Sequence, residues 1–261
     1  MRTTIITSCL MLTIAAVLTG CDNTPGNNEK QALNPDLPNF AVYQDVKEKK
    51  KAFFSFLKPL IQQANAAVLA ERQQVLKWQE SGHIDEQQLA QLLEKYRVKA
   101  ADPEAQQATL LNRIHTIPPS LVMAQAANES AWGTSRFARE GNNLFGQWCF
   151  SKGCGLVPSS RNSGANHEVA KFSSPAKSVA SYIRNLNSHP SYKELRALRR
   201  QELSNKKHST GMTLAEGLLK YSERGEEYVE EIRAMIRHNK LARYDSGIKI
   251  DAGQQPQQNQ G

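Results

Sequence analysis

Apolar residues recur at three- and four-residue spacing over most of the chain, and this pattern predicts a mainly helical protein. Two helices are expected within residues 46–101, separated by a turn at Ser81-Gly82. Pro59 lies inside the first helical run and would kink it or divide it. Each helix has one apolar stripe, which indicates a helical hairpin that packs on the rest of the protein or spaces it from a membrane.

The second half of the chain combines helices with two strand-like segments. A helix is expected at residues 121–131, because Pro118-Pro119 suits a helix start and no breaker follows before Gly133. Residues 144–150 and 168–172 read as short strands joined by a polar loop. Further helices are expected at residues 176–187, 191–203 and 213–240, the last with an interruption at Gly225. The fold class is therefore α+β and mainly helical, with a small β-hairpin lobe.

The N-terminus has the pattern of a secretory signal. Residues 1–20 contain Arg2, a short apolar run and the small residues Thr19-Gly20 before Cys21. This ending resembles a lipoprotein processing site, so Cys21 is expected to carry a lipid; an uncleaved signal anchor is the alternative. Asp22 then resembles the signal that retains enteric lipoproteins in the inner membrane. We expect a periplasmic, lipid-anchored protein in the inner membrane, with the outer membrane as the alternative.

Two cysteines remain after the signal and the lipid site are set aside. Cys149 and Cys154 are separated by four residues, and in an exported chain such a pair most simply forms a small disulfide loop. A metal site would need about four ligands at close spacing. His167 and the neighbouring acids do not supply that pattern, so neither a metal nor another cofactor is expected.

The charge balance narrows the class of partner. Loss of Arg2 with the signal leaves 32 Lys and Arg against 25 Asp and Glu, a net charge of +7. A basic surface suits lipid headgroups or the carboxylates of peptidoglycan stem peptides, and it also aids solubility. Nucleic acid is not expected as a partner, because an exported protein rarely meets it.

Glu129 is the strongest candidate for chemistry. It is the one carboxylate in an otherwise uncharged helical run, on the same stripe as Val122 and Ala126. Trp132, three residues later, is expected to shield it from water, which would raise its pKa and make it a general acid at neutral pH. A solvated surface Glu is the alternative reading of the spacing alone.

Residues 124–146 read AQAANESAWGTSRFAREGNNLFG. This segment resembles the endo-β-N-acetylglucosaminidases of glycoside hydrolase family seventy-three, which have a pattern like AQAALESGWGTS followed by FAREGNNLFG. The resemblance extends over residues 110–244 and is weaker over residues 46–102. It implies a lysozyme-like catalytic domain at residues 106–244, preceded by a helical hairpin region at 46–105 and a tether at 21–45, and followed by a disordered tail at 245–261.

The same resemblance implies site residues. Glu129 would be the general acid, Glu168 a second acid on the β lobe, and Tyr221 an orienting group for water or the substrate acetamido group. Asn143, Phe145 and Trp148 are candidates for a sugar-binding floor, although Phe145 could equally belong to the core. The chain departs from the family pattern after Tyr221, where Ser-Glu-Arg-Gly replaces Ala-Thr-Asp-Pro, and after Gly146, where the cysteine loop is inserted.

The expected activity is hydrolysis of peptidoglycan glycan strands after N-acetylglucosamine, under the control of other envelope proteins. A muramidase or lytic transglycosylase on the same fold is a close alternative. A non-catalytic peptidoglycan-binding scaffold is the alternative from another class.

Overall fold

Helices make up most of the computed structural model, which describes residues 35–159, 164, 166–205 and 208–247. All of these residues belong to one compact unit, Ala32–Gly261. The expected signal, Cys21 and residues 248–261 lie outside the described residues. The α-helices are α1 (Val46–Ser81), α2 (Glu86–Lys95), α3 (Pro103–Arg113), α4 (Pro119–Glu129), α5 (Arg136–Gly141), α6 (Pro175–Ser188), α7 (Lys193–Ser204), α8 (Gly211–Leu214) and α9 (Glu226–His238).

The N-terminal hairpin packs on the rest of the protein rather than standing apart from it. Helix α1 contacts both α4 and α6, and Pro59 lies inside it without ending it. Asn65 of α1 donates to the carbonyl of Ile117 at 2.9 Å and accepts from the Ile117 N–H at 3.0 Å. These two bonds fix the segment that enters α4, so α1 is part of the framework of the site.

Helix α4 is capped from a distant part of the chain. It begins at Pro119 without a side-chain cap of its own. The carboxylate of Asp245 instead accepts from the Ser120 N–H at 2.9 Å, the Ser120 hydroxyl at 2.7 Å and the Gly211 N–H at 3.1 Å. A carboxylate at a helix N-terminus satisfies free N–H groups and complements the helix dipole. Asp245 therefore joins the starts of α4 and α8.

Three of the expected boundaries were wrong. The division between the hairpin region and the catalytic domain at residues 105 and 106 falls inside α3. The disordered tail was placed from Asp245, but that residue is only 5% exposed and lies in a 3₁₀ helix, Leu241–Gly247. The tether was extended to residue 45, but Phe40, in the 3₁₀ helix Phe40–Val42, is 1% exposed and packs edge-on against Phe53 and Phe56. A single buried side chain in a polar stretch anchors the backbone but leaves no periodic pattern to detect.

The β lobe is a three-stranded antiparallel sheet with strand order β1-β3-β2. Its strands are β1 (Trp148–Cys149), β2 (Gly155–Leu156) and β3 (Glu168–Ala170). Trp148 pairs with Val169, and Leu156 pairs with Val169 from the other side. The sequence predicted longer strands and missed β2, but the mainly helical α+β class with a small β lobe is confirmed. Within the described part of the chain, no helix combines the length and apolar character needed to cross a membrane.

We expect Phe40→Ala to lower the free energy of unfolding by about 3–5 kcal/mol, the usual cost of removing a fully buried Phe. Tyr43→Ala is the matched control, because Tyr43 is 37% exposed and three residues away. It should cost less than about 1 kcal/mol. Urea unfolding measures both values, and equal costs would show that Phe40 is not part of the core.

Candidate active site

Glu129 is the last residue of α4 and is half-buried. The helix ends there because Ala131 and Trp132 both have positive φ, at +48° and +60°. Ser130 closes the end by donating to the Ala126 carbonyl at 2.6 Å and accepting from the Gly133 N–H at 2.8 Å. A carboxylate at a helix C-terminus faces the negative end of the helix dipole, which disfavours its charged form.

The expected shielding of Glu129 by Trp132 was wrong. The Trp132 ring packs edge-on against Phe53 and Phe54 of α1, with centroid distances of 5.8 and 5.4 Å. Lys50 lies over its face at 5.0 Å. The prediction assumed that the helix continues from Glu129 to Trp132. The helix ends at Glu129, and the positive φ values of Ala131 and Trp132 direct the Trp132 ring away from the acid.

Tyr228 of α9 is the aromatic residue that contacts the acid. Its hydroxyl donates to Glu129 Oε1 at 2.7 Å, and Gln125 Nε2 donates to the same hydroxyl at 2.8 Å. Tyr182 of α6 in turn donates to Gln125 Oε1. This chain of hydrogen bonds joins α6, α4 and α9 and fixes one oxygen of Glu129. Gln125, a buried amide four residues before Glu129 in a mostly apolar helix, is the feature of the sequence that could have indicated this network.

The two oxygens of Glu129 have different surroundings. Oε1 is bound by Tyr228 and lies 3.5 Å from the Asn128 amide. Oε2 has no hydrogen-bond partner within the described residues. It is not fully buried, so it retains contact with solvent. A Cβ built on Gly146 would lie 3.8 Å from Oε2. The free oxygen therefore faces the turn that leads into β1.

Burial raises the pKa of Glu129 above that of an exposed Glu. The hydrogen bonds from Tyr228 and Asn128 act in the opposite direction but are the smaller effects. Burial also raises the pKa of the Tyr228 phenol, with the Glu129 charge adding to it, so Tyr228 remains a donor. An acid whose pKa is raised keeps its proton to a higher pH than an exposed Glu, and an accessible oxygen allows it to deliver that proton to a substrate.

Tyr221 lies beside this acid but does not bind it in the structure. Its ring stacks on Tyr228 with centroids 5.3 Å apart and planes 9° apart. Its hydroxyl donates to the Phe145 carbonyl at 2.6 Å. Tyr221 thus ties the segment before β1 to the start of α9, and its orienting role stays a prediction.

Glu168 braces the cysteine loop. It is 6% exposed, and its carboxylate accepts from the Gly153 N–H at 3.0 Å and the Gly155 N–H at 2.8 Å. The structure joins Cys149 and Cys154 in a disulfide around the same loop. A Cβ on Gly155 would lie 2.0 Å from the Val169 carbonyl, so only glycine allows this approach. Glu168 therefore has a structural function, and its catalytic role stays a prediction.

The same cluster does not form a metal site while the disulfide is intact. Cys149, Cys154 and Glu168 place potential ligand atoms within 4.8 Å of one another. Metal binding by cysteine requires thiolates, and both sulfur atoms are bonded to each other.

Two of the three residues proposed for the sugar floor are buried. Asn143 donates to the carbonyls of Gln147 and Ala170 and accepts from the N–H groups of Phe145 and Gln147. Phe145 stacks on Tyr182, with ring centroids 4.0 Å apart. The sugar contact predicted for Asn143 was wrong, because the tight turn uses its amide completely. For Phe145 the alternative is confirmed, because the ring belongs to the core.

Trp148 keeps the exposed aromatic face that a sugar-binding residue needs. It is 59% exposed and stacks on His167, with centroids 4.1 Å apart and planes 17° apart. Phe150, two residues further along, is also exposed. The accessible aromatic surface of the site therefore lies on the β lobe.

We expect Tyr228→Phe to raise the pKa of Glu129 further. The Tyr228 hydroxyl stabilises the charged carboxylate by donating a hydrogen bond to it, and the variant loses this bond. It should also cost about 1–3 kcal/mol of stability, since the Gln125 amide loses its acceptor. Tyr221→Phe removes the same kind of hydroxyl from the neighbouring ring and should change the pKa of Glu129 much less. Carbon-13 NMR titration of the Glu129 carboxyl tests this, and equal shifts in the two variants would contradict it.

Comparison with known proteins identifies the family. A family model described as mannosyl-glycoprotein endo-beta-N-acetylglucosaminidase matches residues 105–241, which include Glu129, Glu168 and Tyr228. The protein bax of Escherichia coli (strain K12) is 34% identical over 217 residues, which cover 81% of this chain and 77% of that protein. Among solved structures, the catalytic domain of the autolysin Auto from Listeria monocytogenes matches with 19% identity and a TM-score of 0.43, covering 78% of this chain and 92% of that one. The family predicted from residues 124–146 is thus confirmed, and the chain belongs to the endo-β-N-acetylglucosaminidase family of glycoside hydrolases.

Proposed function

We propose that this protein cleaves the β-1,4 glycosidic bond after N-acetylglucosamine in peptidoglycan glycan strands, with Glu129 as the general acid. The observation that carries the proposal is the asymmetry of Glu129. One oxygen is bound by Tyr228, and the other is accessible beside the turn that enters the β lobe. Family membership supports the reaction class.

The proposed reaction begins with proton transfer from Glu129 Oε2 to the glycosidic oxygen. The bond between that oxygen and the anomeric carbon then breaks, and Glu129 becomes a carboxylate. The Tyr228 hydroxyl already donates to Oε1, so it stabilises the charge that forms during this step. Water adds to the anomeric carbon and gives up one proton, and Glu129 regains a proton for the next cycle.

The group that assists the water is a second part of the proposal. Glu168 would act as the base from the β lobe, with Tyr221 orienting the water or the substrate acetamido group. Glu168 already accepts two backbone N–H groups, so any base function would be added to its bracing of the loop. The exposed face of Trp148 supports sugar stacking next to this lobe.

We expect Glu129→Gln to lower turnover of isolated sacculi by about 10²–10⁴-fold, the usual contribution of a general acid. Mass spectrometry after borohydride reduction would identify the new ends. Reduced N-acetylglucosamine ends made by the unmutated protein support the proposal, muramic acid ends indicate a muramidase, and anhydro products indicate a lytic transglycosylase. Sacculus binding without turnover by either form would indicate a scaffold and contradict the proposal.

The pH dependence of the unmutated protein and the stability of the Glu129→Gln variant provide two controls. Activity should fall as pH rises through the raised pKa of Glu129, because the acid loses its proton. Glu129 ionises at a lower pH in the unfolded state than in the folded state. The free energy of unfolding therefore falls as pH rises from the unfolded-state pKa of Glu129 to its folded-state pKa. Glu129→Gln should therefore be at least as stable as the unmutated protein at pH 7, which separates lost catalysis from lost folding.

For Glu168, we expect Glu168→Gln to lower kcat by about 10²-fold if the carboxylate acts as a base. The double variant Cys149→Ser/Cys154→Ser opens the same loop but keeps the carboxylate, and it should lower kcat much less. Kinetics on soluble glycan strands measure both. An equal loss of kcat in the two variants would show that Glu168 supports the loop and does not act as a base.

A further inference from the structure

A groove of about 340 Å³ lies between α3 and α7. Asn112 and Arg113, at the end of α3, form part of its wall, and the chain reaches the first residue of α4 six residues after Arg113. Glu129 is at the other end of α4, and a helix of this length spans about 16 Å. The groove is therefore separate from the acid and is associated with the opposite end of the same helix.

The walls of the groove are strongly basic. Lys193, Arg196 and Arg200 lie on one face of α7, and Arg113 faces them from α3. Glu194 is the one acidic residue among the described residues that line the groove. None of the four cations forms an ion pair with a carboxylate in the described part of the chain, whereas Arg224 and Arg233 elsewhere do.

The polar partners of these cations are neutral oxygens. Arg196 Nη1 donates to the carbonyls of Leu186 and His189, each at 3.0 Å. Arg200 Nη1 donates to Asn112 Oδ1 at 2.9 Å. Neutral acceptors orient a guanidinium without cancelling its charge, and each guanidinium has five N–H donors. These bonds engage a single nitrogen of each side chain.

The cations also repel one another. Burial lowers the pKa of Arg196 to about 10, and the charges of Arg113 and Arg200 add to that effect. Burial lowers the pKa of Arg113 as well, with Arg97 adding to it. Beneath them, the fully buried Arg199 is bound to Asn187 Oδ1 and the Asn112 carbonyl. An anion in the groove would relieve this repulsion.

We infer that the groove binds the carboxylates of peptidoglycan stem peptides, an inference that rests on the proposed function. Guanidinium groups bind carboxylates through paired N–H donors. A flat bilayer cannot enter a concave groove, which favours a peptide over a lipid surface. An extended peptide of four or five residues spans about 14–17 Å, similar to the length of α4. A stem peptide therefore carries its terminal carboxylate up to about that distance from its glycan.

Binding measurements test the inference without requiring turnover. The protein from Asp22 onward, carrying Glu129→Gln, is titrated calorimetrically with a disaccharide-tetrapeptide whose carboxyls are free, and with the same compound after amidation. We expect Lys193→Gln/Arg200→Gln to raise Kd for the free acid about five- to tenfold, because two charge-assisted contacts are lost. Binding of the amidated compound should not change. Both substituted residues are exposed, so the fold should tolerate the change.

Lys47→Gln/Lys51→Gln is the matched control, because it removes two exposed charges from α1. An equal rise in Kd in this control would indicate a general charge effect and overturn the inference. An unchanged Kd in the groove variant, or no binding of the free acid by the parent, would also overturn it. Loss of anionic-vesicle binding with unchanged peptide binding would assign the groove to a membrane instead.

Kinetics distinguish failure of the inference from failure of the proposed function. With Glu129 intact, the groove variant should raise KM for peptide-bearing glycan strands and leave kcat and the KM for peptide-free strands unchanged. Equal KM values for the groove variant and the parent on both strands would overturn the inference alone. Absence of turnover on either strand by the parent would refute the proposed function. The calorimetry would still show whether the groove binds the peptide carboxylates.

Discussion

Helix α4 is buried along its length from Pro119 to Ala127, and the rest of the structure packs around this constraint. A buried helix exposes its polar groups only at its ends, where the backbone has unpaired N–H and C=O groups. Asp245 satisfies the N-terminal end, and Ser130 closes the C-terminal end. Glu129 comes out of the core at that closure, so its position is fixed by the packing of the whole helix.

The pKa of the acid results from opposing effects that the fold sets independently. Burial and the helix C-terminus disfavour the carboxylate, while Tyr228 stabilises it. The Tyr228 hydroxyl is held in turn by Gln125, whose amide is fixed by Tyr182. The network holds one oxygen of the acid in a fixed orientation, while burial still disfavours the charged form of the carboxyl group.

Periodic patterns in the sequence predicted α1, α2, α4, α6, α7 and α9. They missed α3 and α5, and they predicted a helix from residue 213 where the structure has only the short α8 and a 3₁₀ helix, Ala215–Leu218. They also failed where one residue acts alone. The interruption at Gly82 was predicted, and the structure ends α1 there with φ at +67°. Phe40, Asp245 and Trp132 were misplaced because each depends on a contact between distant segments or on a local positive φ. Asn143 was misread because an amide that completes a turn and an amide that binds a sugar look the same in a sequence. Tyr228 was missed as the partner of Glu129 because the two are 99 residues apart.

The short strands of the β lobe account for the several constraints on the inserted cysteine loop. Strands of two or three residues cannot bury a core of their own, so the lobe needs other constraints. The Cys149–Cys154 disulfide closes the loop covalently, and Glu168 binds two of its N–H groups. Tyr221 anchors the approach to the lobe through the Phe145 carbonyl, one residue before the turn beside Glu129. These constraints all act on residues 145–155, the segment that joins the turn beside Glu129 to Trp148 and the cysteine loop.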